Sequence, residues 1–259
     1  MRAFLTSAVV LVACAAAGAS NLRVAMNYDI EELASACDPN DNPIDCNGLV
    51  SLFKATGGPS WTFSTGWLNG SSYCHWHGID CEIGTNRVGA VILSNNSLSG
   101  QLPPDVFKLD KMVQFYVDSN KLTGPIPDNV AQAPHLQYLY LNNNQLSGGI
   151  PSGMSQLNHL RDLHLSFNQL TGSIEPVTSL PEIVDLYLDH NKFAGSLPSS
   201  IGQLNHLQDF YIDDNSFNGA VPSSICSVFP VSRDCNMARN SFACPMPSCV
   251  PSACAATCS

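Results

Sequence analysis

Charge is scarce in this chain, and positive charge scarcer still. Of 259 residues only 12% are charged, with 21 acidic against 11 basic side chains and a formal net charge of -10. Nucleic acids and anionic membrane surfaces are held by Lys and Arg, so this balance argues against both as partners. Long apolar runs are missing as well. The longest lies at Phe4 to Ala16 and is too short to span a bilayer. The end of the chain, Ala255-Ala256-Thr257-Cys258-Ser259, carries no hydrophobic tail of the kind that signals a lipid anchor. Cysteine is absent from the whole middle of the chain, between Cys81 and Cys226. No Asp-rich calcium-loop spacing occurs.

What is present begins with a leader. Arg2 supplies a positive start, Phe4 to Ala16 the apolar run, and Ala17-Gly18-Ala19 a small-residue cleavage pattern. Residues 1–19 therefore read as a secretory signal peptide, and the mature protein is expected to be soluble and secreted. The cysteines agree. Cys14 leaves with the leader, and ten remain: Cys37, Cys46, Cys74 and Cys81 before the middle region, then Cys226, Cys235, Cys244, Cys249, Cys254 and Cys258 after it. An even count in an exported chain reads as disulfides, with zinc the competing use of closely spaced Cys and His. The six C-terminal cysteines allow fifteen pairings, and spacing does not choose among them.

The middle of the chain repeats. Asparagines stand at Asn96, Asn120, Asn144, Asn168, Asn191 and Asn215, at spacings of 24, 24, 24, 23 and 24 residues. The unit is clearest at Leu136 to Leu160, LQYLYLNNNQLSGGIPSGMSQLNHL. A fixed period carrying L-x-L-x-x-N-x-L is the signature of a leucine-rich-repeat solenoid. Leu139 and Leu141 alternate with Tyr138, Tyr140 and Asn142, the period of a strand with one buried face. Each asparagine is expected to turn inward where the strand bends and to satisfy backbone groups left unpaired there. No single coil buries its own apolar edge, so the coils must stack and both ends need caps.

The second half of each unit reads L-x-G-x-I-P, as in Leu122-Thr123-Gly124-Pro125-Ile126-Pro127 and Leu146-Ser147-Gly148-Gly149-Ile150-Pro151. This resembles the plant-type leucine-rich-repeat family of polygalacturonase-inhibiting proteins and receptor-kinase ectodomains. The resemblance implies a second short sheet. The expected fold is an α/β repeat, a right-handed leucine-rich-repeat solenoid with a parallel concave β-sheet and disulfide-bonded caps at both ends. One unit departs: Glu175 stands where Pro is expected and the unit is one residue short, which predicts a local irregularity.

The expected division is a leader at 1–19, an N-terminal cap at 27–87, six repeats at 88–225 and a cysteine-rich C-terminal cap at 226–259. In the first cap, Asp41-Asn42-Pro43 opens a helix with Leu49, Val50, Leu52 and Phe53 as its apolar stripe, and Gly57 ends it. Cys74-His75-Trp76-His77-Gly78-Ile79-Asp80-Cys81 resembles the C-x-W-x-G-I/V-x-C element of the plant-type cap, with Trp76 covering the first coil. His75 and His77 read as surface positions on a bridged loop. In the second cap, Asn240-Ser241-Phe242 echoes the repeat and makes Asn240 the expected end of the ladder.

Because each coil repeats the last, outward strand positions fall into columns. One reads Ile92, Tyr116, Tyr140, His164, Tyr187, Tyr211. Its neighbours are Ala90, Gln114, Tyr138, Asp162, Asp185, Asp209 on one side and Ser94, Asp118, Asn142, Ser166, Asp189, Asp213 on the other. Beyond them runs Asn95, Ser119, Asn143, Phe167, His190, Asp214. The expected binding face is a tyrosine stripe bordered by carboxylates: Tyr116, Tyr138, Tyr140, His164, Asp185, Tyr187, Asp189, Asp209, Tyr211 and Asp213. Tyr gives large rigid contacts with little entropy to lose, and Asp steers a basic partner. The plainer reading of the stripe is cross-strand packing.

Stacked Asp162, Asp185 and Asp209 lie about 5 Å apart, a separation that any stacked column has, and an open face does not desolvate a reaction. No catalytic residue, metal site or cofactor is therefore expected. Ser99, Thr123, Ser147 and Thr171 precede repeat glycines and read as small polar turn residues. Sequons at Asn69 and Asn95 mark expected glycosylation sites, with Asn96 reserved for the interior.

The functional expectation is a secreted, non-catalytic recognition module for an extracellular protein, inhibitor- or receptor-like, in defence or signalling. By resemblance, a secreted wall-degrading glycosidase or a receptor ectodomain is the implied partner. The alternative is an extracellular matrix or cell-wall protein that binds polysaccharide through the tyrosines.

Overall fold

The computed structural model describes residues 36–229 and 234–254. The leader expected at 1–19, and Cys258, lie outside them. Among the described residues no helix is long and apolar enough to cross a membrane.

The coils build two sheets. The larger has eight strands in chain order: Ile79–Cys81, Val88–Ile92, Gln114–Tyr116, Tyr138–Tyr140, Asp162–His164, Asp185–Tyr187, Asp209–Tyr211 and Asp234–Asn236. The first pair is antiparallel, Ile79 facing Val91, and every later pair is parallel. The smaller sheet has seven strands, from Ser99–Gln101 to Ser241–Ala243, formed by the second half of each unit. Gly148 lies in it at φ +80, a left-handed conformation open to glycine without a Cβ penalty. The helical part of each repeat is short. Pro104–Lys108, Asp128–Gln132, Ser152–Gln156, Ser199–Gln203 and Ser223–Ser227 are all 3-10 turns, since five residues are too few for a stable α-helix.

The core is one continuous column of apolar side chains. Leu139, Leu141, Leu146, Met154, Leu157 and Leu160 of a single unit are all fully buried. In the later coils phenylalanine replaces leucine, and Phe193, Phe217 and Phe242 stack at 6.3 Å intervals. The short unit is irregular where the sequence departs. Its turn shrinks to Glu175–Val177, and Thr178 is buried against Ser200, Oγ1 to Oγ 2.7 Å.

Between the sheets runs the asparagine ladder. Asn144 donates through Nδ2 to the carbonyls of Val117, Leu141 and Asn142 at 3.0, 3.1 and 3.3 Å. Its Oδ1 accepts from the Leu122 amide of the preceding coil at 2.9 Å. Asn120, Asn168, Asn191 and Asn215 repeat this set of bonds. Asn240 adds a further rung, accepting from the Phe217 amide and donating to Ile212. Asn96, at the other end, clasps the cap instead: it accepts from the Phe63 amide at 2.6 Å and donates to the Phe63 carbonyl at 2.9 Å.

The N-terminal cap centres on the helix Pro43–Ala55, where Asn42 caps the amides of Ile44 and Asp45 and Pro43 occupies the first turn. Phe53, Trp61, Trp67 and Trp76 form a ring cluster with neighbouring centroids 4.8–5.5 Å apart, and Trp76 is 2% exposed. Asp45, fully buried, accepts from Nε and Nη2 of Arg87, each at 2.9 Å, and from the Val88 amide at 2.9 Å. This ties the helix to the start of the first repeat strand. Disulfides join Cys37 to Cys46, Cys74 to Cys81, Cys226 to Cys249 and Cys235 to Cys254. Cys244 is disulfide-bonded as well.

Candidate functional site

The large sheet has one face turned into the core and one turned out. Parallel register brings the outward columns together as aligned rows: Tyr116 beside Tyr140, Tyr140 beside His164, His164 beside Tyr187, Tyr187 beside Tyr211. The rings stack with centroids 4.4, 4.1, 4.4 and 4.8 Å apart. They are half-buried, because each ring covers the face of the next. The stripe is cross-strand packing, and its ring edges line the open surface.

The carboxylates of the neighbouring column are used internally. Tyr140 donates to Asp162 at 3.2 Å and Tyr187 to Asp209 at 2.9 Å, each reaching into the next coil. Tyr211 bonds Asp234 likewise. Burial, and then these carboxylates, hold the Tyr140 and Tyr187 phenols well above the usual tyrosine range, and for Tyr211 the Asp234 bond leads. Asp162 is itself raised by burial. Tyr138 and Asp185 stand half-buried in the same column.

The column on the other side is the floor of a hollow. Asn142, Ser166 and Asp189 line it at successive coils, with Asp213 next in the column outside it, and the last three are buried. The aromatic stack from His164 to Tyr211 forms one wall and Asn143 with Phe167 the other, around a volume of about 390 Å³. Asn142 Oδ1, His164 Nε2 and Asp213 Oδ1 are buried with no hydrogen-bond partner in the protein. Such atoms are costly to bury unless something meets them.

Sequence reasoning passed over Phe167. The residue before each ladder asparagine is left-handed in every coil: Asn95, Ser119, Asn143, Phe167, His190 and Asp214 have φ between 49 and 56. Asn and Asp tolerate this, whereas a bulky side chain pays about 1–2 kcal/mol. Phe167 is nevertheless 48% exposed and stacks on His190 at 4.1 Å. The available signal was one aromatic in a column of polar turn residues. Of the two sequons, Asn69 is exposed and accepts from Ser71, and Asn95 is exposed beside the first coil.

Burial among the rings pushes the His164 imidazole from 6.5 down to about 4, against the pull of Asp118, Asp189 and Asp209. A depressed histidine takes up its proton in the unfolded chain first, so stability falls as pH drops from 6.5 toward 4. Discounted for partial exposure, the loss is on the order of 1–2 kcal/mol. Asp162 and Asp213, raised chiefly by burial, work in the opposite sense, because the folded state holds their protons longer. His164→Tyr completes the column without an imidazole. Urea midpoints at pH 7 and pH 4.5 should differ more for the unaltered protein than for this variant, and equal differences would remove His164 as the cause.

Comparisons with known proteins agree with this geometry. A family model described as "Leucine rich repeat" matches residues 112–170, and a second of the same description matches 182–204. No curated protein matches the sequence. Among solved structures, the PEPR1-AtPEP1 crystal structure superposes with a TM-score of 0.69 at 28% identity, over 79% of this chain and 29% of that one. The plant peptide hormone receptor RGFR1 in complex with RGF2 gives 0.57 at 28% identity, over 60% and 25%. The ectodomain of the receptor kinase SOBIR1 from Arabidopsis thaliana gives 0.57 at 25% identity, over 69% and 94%. The chain spans under a third of the length of the first two. The chain carries leucine-rich repeats over the matched residues, and its solenoid is similar to that of these receptor ectodomains.

Proposed function

We propose that this chain is a secreted, non-catalytic recognition module that binds a protein or peptide across the outward face of the eight-stranded sheet. The single observation that carries the reading is the hollow beside the ring stack, lined by two buried polar atoms, Asn142 Oδ1 and His164 Nε2, that no protein group meets. A partner offering N–H donors and positive charge fits that floor. The net charge of -10 assists its approach. Two of the similar structures are complexes, PEPR1-AtPEP1 and the peptide hormone receptor RGFR1 with RGF2, and we take a peptide or protein ligand for this chain. Inhibitor-like or receptor-like work in defence or signalling, on a secreted glycosidase or a receptor ectodomain, lies within this reading.

Polysaccharide is the weaker partner for a physical reason. Sugars bind aromatic side chains through exposed ring faces, and here the faces from Tyr116 to Tyr211 cover one another. The edges left open give a sugar ring no face to stack on.

The test is capture of a partner from extracellular fluid, with the unaltered protein set against a Tyr187→Ala, Tyr211→Ala double variant matched by circular dichroism. If both rings are interface anchors, each costs roughly 2 kcal/mol or more, so affinity falls by at least about a hundredfold. Equal capture by both forms would clear the stripe of any binding role. Weak, even retention on wall polymers by both would move the reading to a structural protein.

A further inference from the structure

Beside Asp189, which lines the hollow, stands a group of side chains outside its lining. His190, Asp213 and Asp214 present one donor atom each, and these atoms lie within 4.8 Å of one another. The three come from two adjacent coils, His190 following the strand Asp185–Tyr187 and the aspartates following Asp209–Tyr211. We propose that they form a binding site for a divalent transition-metal ion, with Zn²⁺ or Mn²⁺ as the class that suits one imidazole and two carboxylates.

The imidazole is arranged as a ligand. Its Nδ1 stands 2.9 Å from Asp189 Oδ2, and the other oxygen of Asp189 is held by the Ser166 hydroxyl. A carboxylate on Nδ1 fixes the tautomer that leaves the Nε2 lone pair free, the arrangement behind most metal-binding histidines. That Nε2 lies 3.1 Å from Asp214 Oδ2. Two ligand atoms about 2.1 Å from one ion, and roughly a right angle apart, are separated by about 3 Å. The pair is therefore spaced as one edge of a coordination shell.

Asp213 is the independent observation. It is 4% exposed, and its Oδ1 has no hydrogen-bond partner in the protein. A buried carboxylate oxygen among an imidazole and two further carboxylates is costly unless a cation or a proton meets it. A simpler arrangement, a protonated His190 bridging Asp189 and Asp214, leaves that oxygen unmet. Arg239 reaches Asp214 Oδ2 at 3.1 Å but is 68% exposed and supplies nothing to Asp213. Asp189 acts through His190 and is a positioning residue. Three protein ligands leave further positions of the ion to water or to a partner's side chain.

The measurement is calorimetric titration of the full chain, prepared without a histidine tag and stripped with a chelator, against Zn²⁺ and Mn²⁺ separately. One equivalent of at least one ion should saturate the protein. His190→Gln and Asp213→Asn should each weaken that binding at least tenfold, and Asp189→Asn should weaken it by about ten- to a hundredfold. The ion should also raise the melting temperature of the unaltered protein and not that of Asp213→Asn. This readout stays informative if the histidine variant folds poorly. A His75→Gln, His77→Gln pair should bind as the unaltered protein does. No saturable binding of either ion, or binding that survives both His190→Gln and Asp213→Asn, overturns the site. No partner protein is involved, so failure here leaves the recognition reading where it stands.

Discussion

Asn144→Ala is expected to cost on the order of 3–5 kcal/mol of stability and to lower the melting temperature by about 10 °C or more. The side chain meets four backbone groups at once: the carbonyls of Val117, Leu141 and Asn142 and the amide of Leu122. All sit in the interior between the two sheets, and alanine answers none of them. Each unmet buried group costs about 1–3 kcal/mol. Asn144→Asp should be no better, because it keeps an acceptor for Leu122 but loses the donors and buries a charge. The neighbouring Asn143, exposed at φ 54, is the control. Its replacement by alanine should cost only the left-handed strain, about 1 kcal/mol. Thermal and urea unfolding of the three variants decide the matter. Comparable losses at 143 and 144 would mean that the ladder is decoration and that apolar stacking alone holds the coils.

Arg87→Ala is expected to be of similar size, about 3–5 kcal/mol, for a different reason. Arg87 supplies two of the bonds to Asp45, whose side chain is 1% exposed. Its removal leaves a buried carboxylate with the Val88 amide at 2.9 Å and the Tyr73 hydroxyl at 3.5 Å. Breaking one side of a buried pair costs far more than replacing both. An Asp45→Asn, Arg87→Met double variant should therefore recover a good part of the loss. Because this pair joins the cap helix to the first strand, Arg87→Ala should also raise hydrogen exchange in Pro43–Ala55 before it affects the later coils. Uniform exchange along the whole chain would contradict a nearest-neighbour solenoid.

The repeat was legible because its physics is periodic. A residue that recurs at a constant spacing occupies the same place in every coil, so the ladder from Asn96 to Asn215, the rung at Asn240 and the aligned outward columns follow from counting alone. The short unit at Glu175 was legible for the same reason, as a break in the count. The Arg87–Asp45 pair was not, since its members are 42 residues apart and belong to no period. The fate of the border carboxylates was also hidden. Asp162 and Asp209 sit in the expected column, but only the tilt of Tyr140 and Tyr187 toward the next coil turns them into acceptors for phenols. His190, Asp213 and Asp214 were read as members of two separate columns. Their grouping appears only when neighbouring columns of adjacent coils are taken together.

If recognition uses the outward face of the eight-stranded sheet, a bound partner shields the aromatic column. Hydroxyl-radical footprinting of the protein, free and bound to its captured partner, tests it most directly. Protection is expected at Tyr187, Tyr211 and Phe167, with the 3-10 turns such as Ser152–Gln156 labelled equally in both states. Protection confined to those turns, with the aromatic column unchanged, would contradict it and assign the stack to packing alone.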